Sequence, residues 1–275
     1  MSNFTPVTLS DNKDYQYYHR HDEVPEMSHY QIHTHNSYEL LIFIKGDASF
    51  VVEGAVFPLA PYDVLITRPG EMHQIFHHSP APYERIMLRV TDAFFVNNDC
   101  TDFRHIFTER EAGRENILRL GSKNNTAILD TIKRIEKYAQ KEQKNEVVIR
   151  CAVIELLYAL NQLKPAKAVS TPQSEIIGHV TSYISHHLDS DLTLEALAEQ
   201  FFVSKYYLCR IFKKYTGITL GQYITQKRIL AAKSFYQGGH SLSESASLAG
   251  FSDYSSFYKA CTKETGQPPR KALSL

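Results

Sequence analysis

Three histidines and one glutamate are spaced in a way that suits ligand binding. His33, His35 and Glu39 occupy odd-numbered positions of one short segment, and His73 follows further along the chain. Because side chains alternate along an extended chain, the first three are expected to face the same side. Imidazoles and a carboxylate together suit Fe, Mn, Ni or Zn, and the same groups can hydrogen-bond the hydroxyls of an organic ligand.

The segments around these residues have the character of short strands. LLIFI, SFVVEG, AVFPL, DVLITRP and RIMLRV are rich in β-branched or aromatic residues and are separated by Gly, Pro or Asp. Such dense strands predict a small β-barrel or sandwich over residues 1–120, with a ligand site inside it. His77 and His78 are expected in a loop beyond the site. The residues expected to line the site are His33, His35, Tyr38, Glu39 and His73, with Tyr17 and Arg20 nearby.

The last hundred or so residues (175–275) repeat one pattern, in which a short helix, a tight turn and a second helix follow each other. The first copy lies in residues 193–217 and the second in residues 241–266. Both have a small residue where the helices must approach, a residue that caps the second helix, and a closing glycine. These residues are Ala198, Ser204 and Gly217 in the first copy, and Ala246, Asp253 and Gly266 in the second, where Gly250 forms the turn.

An uninterrupted helix is predicted between the two copies, over residues 219–236. Eighteen residues give a rod of about 27 Å at 1.5 Å per residue. Successive major-groove faces of B-DNA lie about 34 Å apart, so the rod suits the reading of two adjacent grooves by one chain. The sequence therefore predicts two helix-turn-helix units that bind double-stranded DNA.

The exposed start of each second helix is the surface expected to contact DNA. Arg210 is suited to donate two hydrogen bonds to a guanine. Lys213, Lys214, Lys227 and Arg228 are expected to contact phosphates, which add affinity but carry no sequence information. The expected reading residues are Ser204, Lys205, Tyr206, Tyr207 and Arg210 in the first unit, and Ser252, Asp253, Tyr254, Ser255, Ser256 and Lys259 in the second.

The distribution of charge agrees with DNA binding by the C-terminal residues. The net charge is zero, but from residue 166 onward twelve Lys and Arg face eight Asp and Glu, whereas the preceding residues carry eighteen against twenty-two. A local positive excess suits phosphate contact. The scattered cysteines, with Cys151, Cys209 and Cys261 at core-like helical positions, predict reduced, buried thiols. With no signal peptide and no membrane span expected, a cytoplasmic protein is predicted.

Two amphipathic helices are predicted between the strands and the DNA-binding region, within residues 121–163. Ile128, Ile132, Ile135 and Ala139 form the apolar stripe of the first, and Val147, Cys151, Ile154 and Tyr158 form that of the second. The pair is expected to pack on the barrel or against a second subunit, which makes a homodimer the predicted assembly. Residues 164–174 are polar, contain two prolines and are predicted to be the linker.

The C-terminal residues resemble the AraC/XylS family of transcription regulators. LEALAEQFFVSKYYLCRIFKKYTGITLGQYI resembles the first half of the family's DNA-binding domain, and AKSF, SLSESASLAGFSDYSSFYK and TGQPPRK resemble its second half and its ending. Ser245, Cys261 and Thr262 depart from the family, which has bulkier or basic residues there. These departures predict that the second unit contributes less affinity than the first.

The N-terminal pattern resembles that of cupins, because HTHNSYE followed by Gly46 fits HxHx3Ex6G, and PGEMH fits PGxxH. Together the two resemblances imply an effector-responsive regulator and not an enzyme. An activator that works with RNA polymerase and binds a carbohydrate is expected, with no cofactor. The alternative is a cupin that binds a divalent metal through His33, His35, Glu39 and His73, as a metal sensor or as a metal-dependent enzyme.

Overall fold

The computed structural model describes residues 8–9, 13–25, 32–110, 113–120, 122–140, 144–166 and 172–274. The chain forms two compact units, residues 1–170 and 171–275. The first unit contains the strands β1 Thr8–Leu9, β2 Tyr15–Asp22, β3 Tyr38–Lys45, β4 Ala48–Val52, β5 Ala55–Pro58, β6 Asp63–Thr67, β7 His73–His77, β8 Tyr83–Val90, β9 Ile117–Arg119 and β10 Pro165–Ala166, and the helices α1 Asp92–Asn97, α2 His105–Thr108, α3 Ser122–Ala139 and α4 Glu146–Asn161.

The strands of the first unit form two antiparallel sheets. The larger sheet has the order β1-β2-β8-β3-β6-β9-β10, and the smaller sheet has the order β5-β4-β7. A single bridge between His33 and His73 brings the segment before β3 to the start of the smaller sheet. The predicted strand-rich fold is thus present, although β1, β2, β9 and β10 were not predicted, nor was the extent of β7 as far as His77. Pro165 and Ala166, expected in the linker, pair with β9.

The larger sheet is buried on both of its faces, as β3 shows most clearly. Leu41 and Phe43 pack with Phe50 and other residues of the smaller sheet, so the odd-numbered positions of β3 face the space between the sheets. Leu40 and Ile42 belong to a separate core that includes α3 and α4. Alternation along one strand therefore assigns each side chain either to the space between the sheets or to the helix-covered face.

Helices α3 and α4 cover the outer face of the larger sheet, and Ile128, Ile132, Ile135 and Ala139 of α3 are buried there as predicted. The stripe predicted for α4 is wrong. Its buried residues are Ile149, Ala152, Val153, Leu156, Leu157 and Leu160. The predicted stripe is largely exposed, with Val147 at 58% and Tyr158 at 53%. α4 is apolar around most of its circumference, so the apolar periodicity fits two faces and only packing selects one.

The second unit is helical. Its elements are α5 Pro172–His186, α6 Leu194–Gln200, α7 Lys205–Thr216, α8 Leu220–Gln237, α9 Leu242–Leu248, α10 Tyr254–Thr265 and α11 Pro269–Ser274. Helices α6 and α7 form the first helix-turn-helix unit, α9 and α10 form the second, and α8 joins them. Among the described residues, no helix is long and apolar enough to cross a membrane.

The caps and closing glycines predicted for the second unit are confirmed, whereas α5 begins at Pro172, within the predicted linker. The side chain of Ser204 accepts a hydrogen bond from the Tyr207 amide at the start of α7, and Asp253 accepts from the Ser256 amide at the start of α10. Gly217 and Gly266 end these helices with left-handed φ angles of 79° and 70°. Glycine meets no Cβ penalty there, which explains why both helices end at these residues.

Only half of the cysteines are buried. Cys100 and Cys261 are buried as free thiols, but Cys151 and Cys209 are exposed. The prediction of core positions was therefore wrong for Cys151 and Cys209, because each lies one helical step away from the buried stripe of its helix. In the second unit's core, Cys261 packs with Phe257 and Ala246.

Candidate functional site

The histidines and the glutamate come together at the edge of the space between the two sheets. Strand β3 places Glu39 on the inner face, and β7 begins at His73. Backbone hydrogen bonds of 2.9 and 3.0 Å in both directions tie His33 to His73. One candidate ligand atom from each of His33, His35 and His73 lies within 4.8 Å of the others. We call these three residues and Glu39 the imidazole–carboxylate cluster.

Two of the imidazoles are oriented by backbone carbonyls. His73 Nδ1 lies 2.9 Å from the Glu71 carbonyl oxygen, and His35 Nδ1 lies 3.0 Å from that of Ser37. A carbonyl only accepts, so both Nδ1 atoms donate, and the Nε2 atoms face Glu39 at 3.4 and 3.1 Å. In a neutral imidazole that is protonated on Nδ1, Nε2 accepts hydrogen bonds, as the Glu39 carboxylate does, so the two cannot bond each other. Stable packing against the carboxylate therefore requires protonated imidazoles, a cation, or donor groups of a ligand between them.

The carboxylate of Glu39 is buried yet ionised. Burial raises its pKa, but hydrogen bonds and charge interactions with His35 and His73 outweigh this and hold the pKa well below its usual value. For His73, burial lowers the pKa, and the contact with Glu39 more than compensates, so the net shift is upward. Arg89 of β8 adds a hydrogen bond from Nε to Glu39 Oε2 at 2.6 Å. The cluster is thus an ionised centre that offers both donors and acceptors.

Tyr17 and Tyr38 do not belong to this cluster. The Tyr17 hydroxyl donates to Glu136 of α3 at 2.9 Å, and that of Tyr38 donates to Asp92 at 3.2 Å. Both rings lie in the core beneath the helices, because their positions alternate to the outer face of the larger sheet. Arg20 is exposed, with its guanidinium 5.1 Å from the centre of the Tyr18 ring. Four of the seven predicted ligand-site residues therefore come together.

The neighbouring histidines also differ from expectation. His77 lies in β7, is buried, and packs edge-on against Tyr83 at 4.6 Å between ring centroids. His78 follows the strand and hydrogen-bonds Ser49 at 2.8 Å. The loop prediction was wrong for His77 because HQIFH alternates too briefly to stand out as a strand.

Sequence reasoning missed two residues beside the cluster. Arg89 contacts Glu39, and the ring of Phe50 lies 6.0 Å from that of His73. A signal for Arg89 was available in RIMLRV, where arginines alternate with apolar residues and so share one strand face. Phe50 carries no such signal, because an apolar residue in an apolar strand is the ordinary case.

The first reading helix, α7, exposes a polar face. Exposed residues include Ser204, Lys205, Tyr206, Arg210, Lys213 and Lys214, and Tyr207 is half-buried. Lys205 forms a 2.7 Å ion pair with Glu195 of α6, and the Arg210 guanidinium lies 5.8 Å from the centre of the Tyr207 ring. Cys209, predicted to be buried, lies in the middle of this face, one turn after Lys205 and one turn before Lys213.

The second reading helix, α10, is less basic. Asp253 accepts hydrogen bonds from the Ser252 and Ser256 hydroxyls at 3.0 and 2.8 Å as well as from the Ser256 amide at 2.7 Å. The amide and hydroxyl bonds of Ser256 are the main causes that lower the pKa of Asp253. These three residues are engaged in capping the helix. The other exposed residues of α10 are Tyr254, Ser255, Tyr258, Lys259, Lys263 and Thr265.

Arg228, predicted to contact phosphate, is engaged within the protein. Its Nε donates to the Leu188 carbonyl at 2.9 Å, and its Nη2 donates to the Ser190 carbonyl at 3.1 Å. Two bonds to carbonyls hold the guanidinium in place and leave it half-buried. Contact of Arg228 with phosphate stays a prediction, because the charge of an arginine does not reveal which oxygens it will bond.

Comparison with known proteins agrees with this division into two units. A family model described as an AraC-like ligand binding domain matches residues 15–143, and one described as a helix-turn-helix domain matches residues 197–274. The transcriptional activator RhaR of Cronobacter sakazakii is 23% identical over 254 residues, which are 86% of this chain and 84% of RhaR.

Two further similarities are more limited. The bifunctional transcriptional activator and DNA repair enzyme AdaA of Bacillus subtilis is 38% identical over 101 residues, 36% of this chain. The chain spans 48% of the length of AdaA. The crystal structure of fatty acid-bound ToxT from Vibrio cholerae aligns over 96% of both chains with 12% identity and a TM-score of 0.38.

The chain belongs to the AraC family of transcriptional regulators. It combines an AraC-like ligand-binding domain with a helix-turn-helix DNA-binding domain. RhaR, which this chain matches over most of its length, is a transcriptional activator.

Proposed function

We propose that this regulator is an activator that senses a small polyhydroxylated molecule, such as a sugar, at the imidazole–carboxylate cluster. The observation that carries the proposal is the ionised Glu39, held among His35, His73 and Arg89 at the edge of an apolar interior. The hydroxyls of a sugar both donate and accept hydrogen bonds, so they complement these charged side chains. The ring of Phe50 offers an apolar surface beside them.

Calorimetric titration with a panel of monosaccharides and polyols tests the sensor site. The protein is first treated with chelator, so that metal binding is measured separately. Glu39→Gln is expected to weaken binding of the sugar found at least tenfold, or about 1.4 kcal/mol, because one charged acceptor is lost. His78→Gln is the matched control, since His78 is exposed and lies outside the cluster. Equal binding by wild-type protein and Glu39→Gln would exclude this site.

A second candidate function, metal sensing, is favoured by the orientation of the imidazoles. Metal-bound histidines commonly donate their other nitrogen to a carbonyl, which is the arrangement of His35 and His73 here. His33, His35, Glu39 and His73 would hold the ion, and its chemistry would be to gather these ligands in one geometry. Titration of untagged protein with Zn²⁺ or Mn²⁺ tests this. Stoichiometric binding that His73→Gln abolishes supports the metal sensor, whereas no binding rejects it.

We further propose that the regulator is a homodimer formed through the exposed stripe of α4. Val147, Cys151 and Tyr158 are exposed at helical spacing on α4, and Ile154 between them is half-buried against the core of its own unit. Tyr158→Glu is expected to convert the dimer into a monomer in sedimentation. Lys133→Glu, on the exposed side of α3, is the control and is expected to leave the dimer intact. A wild-type monomer at micromolar concentration, even with DNA, would exclude this interface.

We propose that the two helix-turn-helix units of one chain contact adjacent major grooves of DNA and that the first of them, α6 and α7, supplies most of the affinity. α7 exposes Arg210, Lys213 and Lys214, whereas α10 is capped at its start by an aspartate, Asp253. Binding upstream of a promoter would place the protein beside RNA polymerase, in the cytoplasm where transcription occurs. Transcription in vitro with purified polymerase, with and without the sensed molecule, tests activation. A repressor would lower the yield of transcript.

A further inference from the structure

Three segments of the DNA-binding unit meet at one backbone carbonyl. Leu188 lies in the loop between α5 and α6, directly before the first helix-turn-helix unit. Its oxygen accepts the 2.9 Å hydrogen bond from Nε of Arg228, and Arg228 is near the middle of the joining helix α8. The second bond of Arg228, to Ser190 at 3.1 Å, fixes the same loop at another point.

The turn of the second helix-turn-helix unit packs against this carbonyl from another direction. Gly250 has a φ of +88°, and a Cβ placed on it would lie 1.9 Å from the Leu188 oxygen and 3.0 Å from Nε of Arg228. No real side chain tolerates the first of these distances, and the positive φ disfavours one independently. The absence of a side chain at Gly250 therefore permits close backbone packing between the turn of the second helix-turn-helix unit and the loop that precedes the first.

The loop itself is well supported. The Ser190 amide donates to the His187 carbonyl at 3.0 Å, and the Thr193 amide donates to Asp191 at 3.1 Å. The ring of His187 stacks on Tyr183 of α5 at 4.1 Å between centroids. The position of this loop is therefore fixed, and the loop constrains Arg228 and Gly250, which pack against it.

This contact gives the two units a second connection. The first connection is α8, whose Tyr223 packs on Phe212 of the first unit at 5.4 Å between centroids, and whose Ile229 and Ala232 join the core of the second. A helix bonded to a unit at each end still bends and twists along its length. The packing of Arg228 and Gly250 on Leu188 limits this bending and twisting, because the two helix-turn-helix units are then connected at two separate places.

We propose that Arg228 and Gly250 are positioning residues that set the angle and separation of the reading helices α7 and α10. They would thereby determine which spacing between two DNA half-sites the chain accepts. The proposal rests on the two-groove DNA binding proposed above. It differs from phosphate contact, which would lower affinity for every DNA to a similar extent.

A spacing series measures this role. Wild-type protein is used to select a duplex from random-sequence DNA, and footprinting identifies the two contacted blocks. Affinity is then measured for duplexes in which base pairs are inserted or removed between the blocks, and for a duplex with the first block alone. The variants are Arg228→Lys, which keeps the charge but not the forked donor geometry, Arg228→Met and Gly250→Ala. Gly178→Ala in α5, where no atom lies within 4 Å of an added Cβ, is the matched control.

For wild-type protein and Gly178→Ala, a changed spacing is expected to weaken binding about tenfold, or about 1.4 kcal/mol. The Arg228 and Gly250 variants are expected to bind the first block within about twofold of wild type and to lose most of the spacing preference. Circular dichroism identifies any variant that has unfolded, and Arg228→Lys is the mildest change in the set. If a folded Arg228→Lys and a folded Gly250→Ala both keep the wild-type preference, the positioning role is overturned. If wild-type protein selects no DNA, the proposed function itself fails.

Discussion

His19 of β2 and Glu136 of α3 are joined by a buried imidazole–carboxylate contact of 2.7 Å between Nδ1 and Oε1. On its other side, His19 Nε2 lies 2.9 Å from Glu84 of β8. The Tyr17 hydroxyl donates to the same Glu136 oxygen at 2.9 Å, and His21 lies 3.5 Å from Glu84. A helix of the sensor unit is thus tied to its larger sheet by one histidine between two carboxylates.

This contact predicts a pH-dependent stability. Burial lowers the pKa of His19, but hydrogen bonds and charge interactions with Glu136 and Glu84 outweigh it, and the pKa is raised. The stabilisation is therefore complete below the unfolded pKa of about 6.5 and is lost as the pH rises through the folded pKa. Urea unfolding across this range should show a fall in the free energy of unfolding that is smaller in His19→Gln, which keeps only the contribution of His73. His78→Gln, at an exposed histidine, should keep the wild-type pH dependence.

The ion pair between Arg110 and Glu71 is expected to hold the segment before His73. Both side chains are buried, and two hydrogen bonds of 2.9 and 2.6 Å join them. Arg110→Met leaves the buried Glu71 carboxylate with only the half-buried Arg68, 3.7 Å away, as a charged partner, which should cost about 3–5 kcal/mol. Arg119→Met removes an exposed arginine near Asp63 and should cost less than about 1 kcal/mol. Denaturant unfolding of the two variants measures the difference, and equal costs would contradict the expectation.

Ser245 is expected to weaken the second helix-turn-helix unit. Its side chain is fully buried, and its hydroxyl has no hydrogen-bond partner among the described residues. Ser245→Ala removes this polar group and suits a helix better, so a gain of about 1 kcal/mol is expected in the free energy of unfolding. Ser243→Ala, on the same helix but exposed, is the control. A loss of stability in Ser245→Ala would show that the hydroxyl is bonded.

The first reading helix is open to a chemical test because Cys209 lies within its exposed face. In a Cys151→Ser background, alkylation of Cys209 should abolish DNA binding, and bound DNA should protect this thiol from alkylation. Cys209→Ser is expected to bind DNA and to be insensitive to the reagent. Rapid alkylation of the DNA complex would mean that another face of α7 contacts the bases.

Arg210 and Lys213 should differ in what they contribute to DNA binding. Arg210→Ala is expected to cost about 1–3 kcal/mol and to relax preference at one base position. Lys213→Ala is expected to weaken binding of all sequences to a similar, smaller extent and to reduce its salt dependence. Affinities for the selected duplex and for single-base variants of it distinguish these effects. Unchanged base preference in Arg210→Ala would show that Arg210 does not contact the bases.

Local chemistry explains which features were predictable. The caps at Ser204 and Asp253 and the closing glycines at Gly217 and Gly266 act within one helical turn, so their sequence signature is complete in itself. The gathering of His33, His35, Glu39 and His73 was predictable from strand alternation and a resemblance. By contrast, Tyr17 and Tyr38 were predicted at the ligand site but lie beneath the helices. Both faces of the larger sheet are buried, so the apolar pattern does not distinguish the face toward the smaller sheet from the face toward the helices.

The amino-acid sequence by itself determined the double helix-turn-helix pattern, the strand-rich sensor and the residue types of the cluster, because apolar periodicity and capping are local. Only the tertiary structure decided which face of α4 is buried, that Cys209 is exposed on α7, and that Arg228 bonds the carbonyls of Leu188 and Ser190. Each of these depends on long-range packing: an apolar face or a charged side chain has several suitable partners, and the fold selects one by bringing it within contact distance.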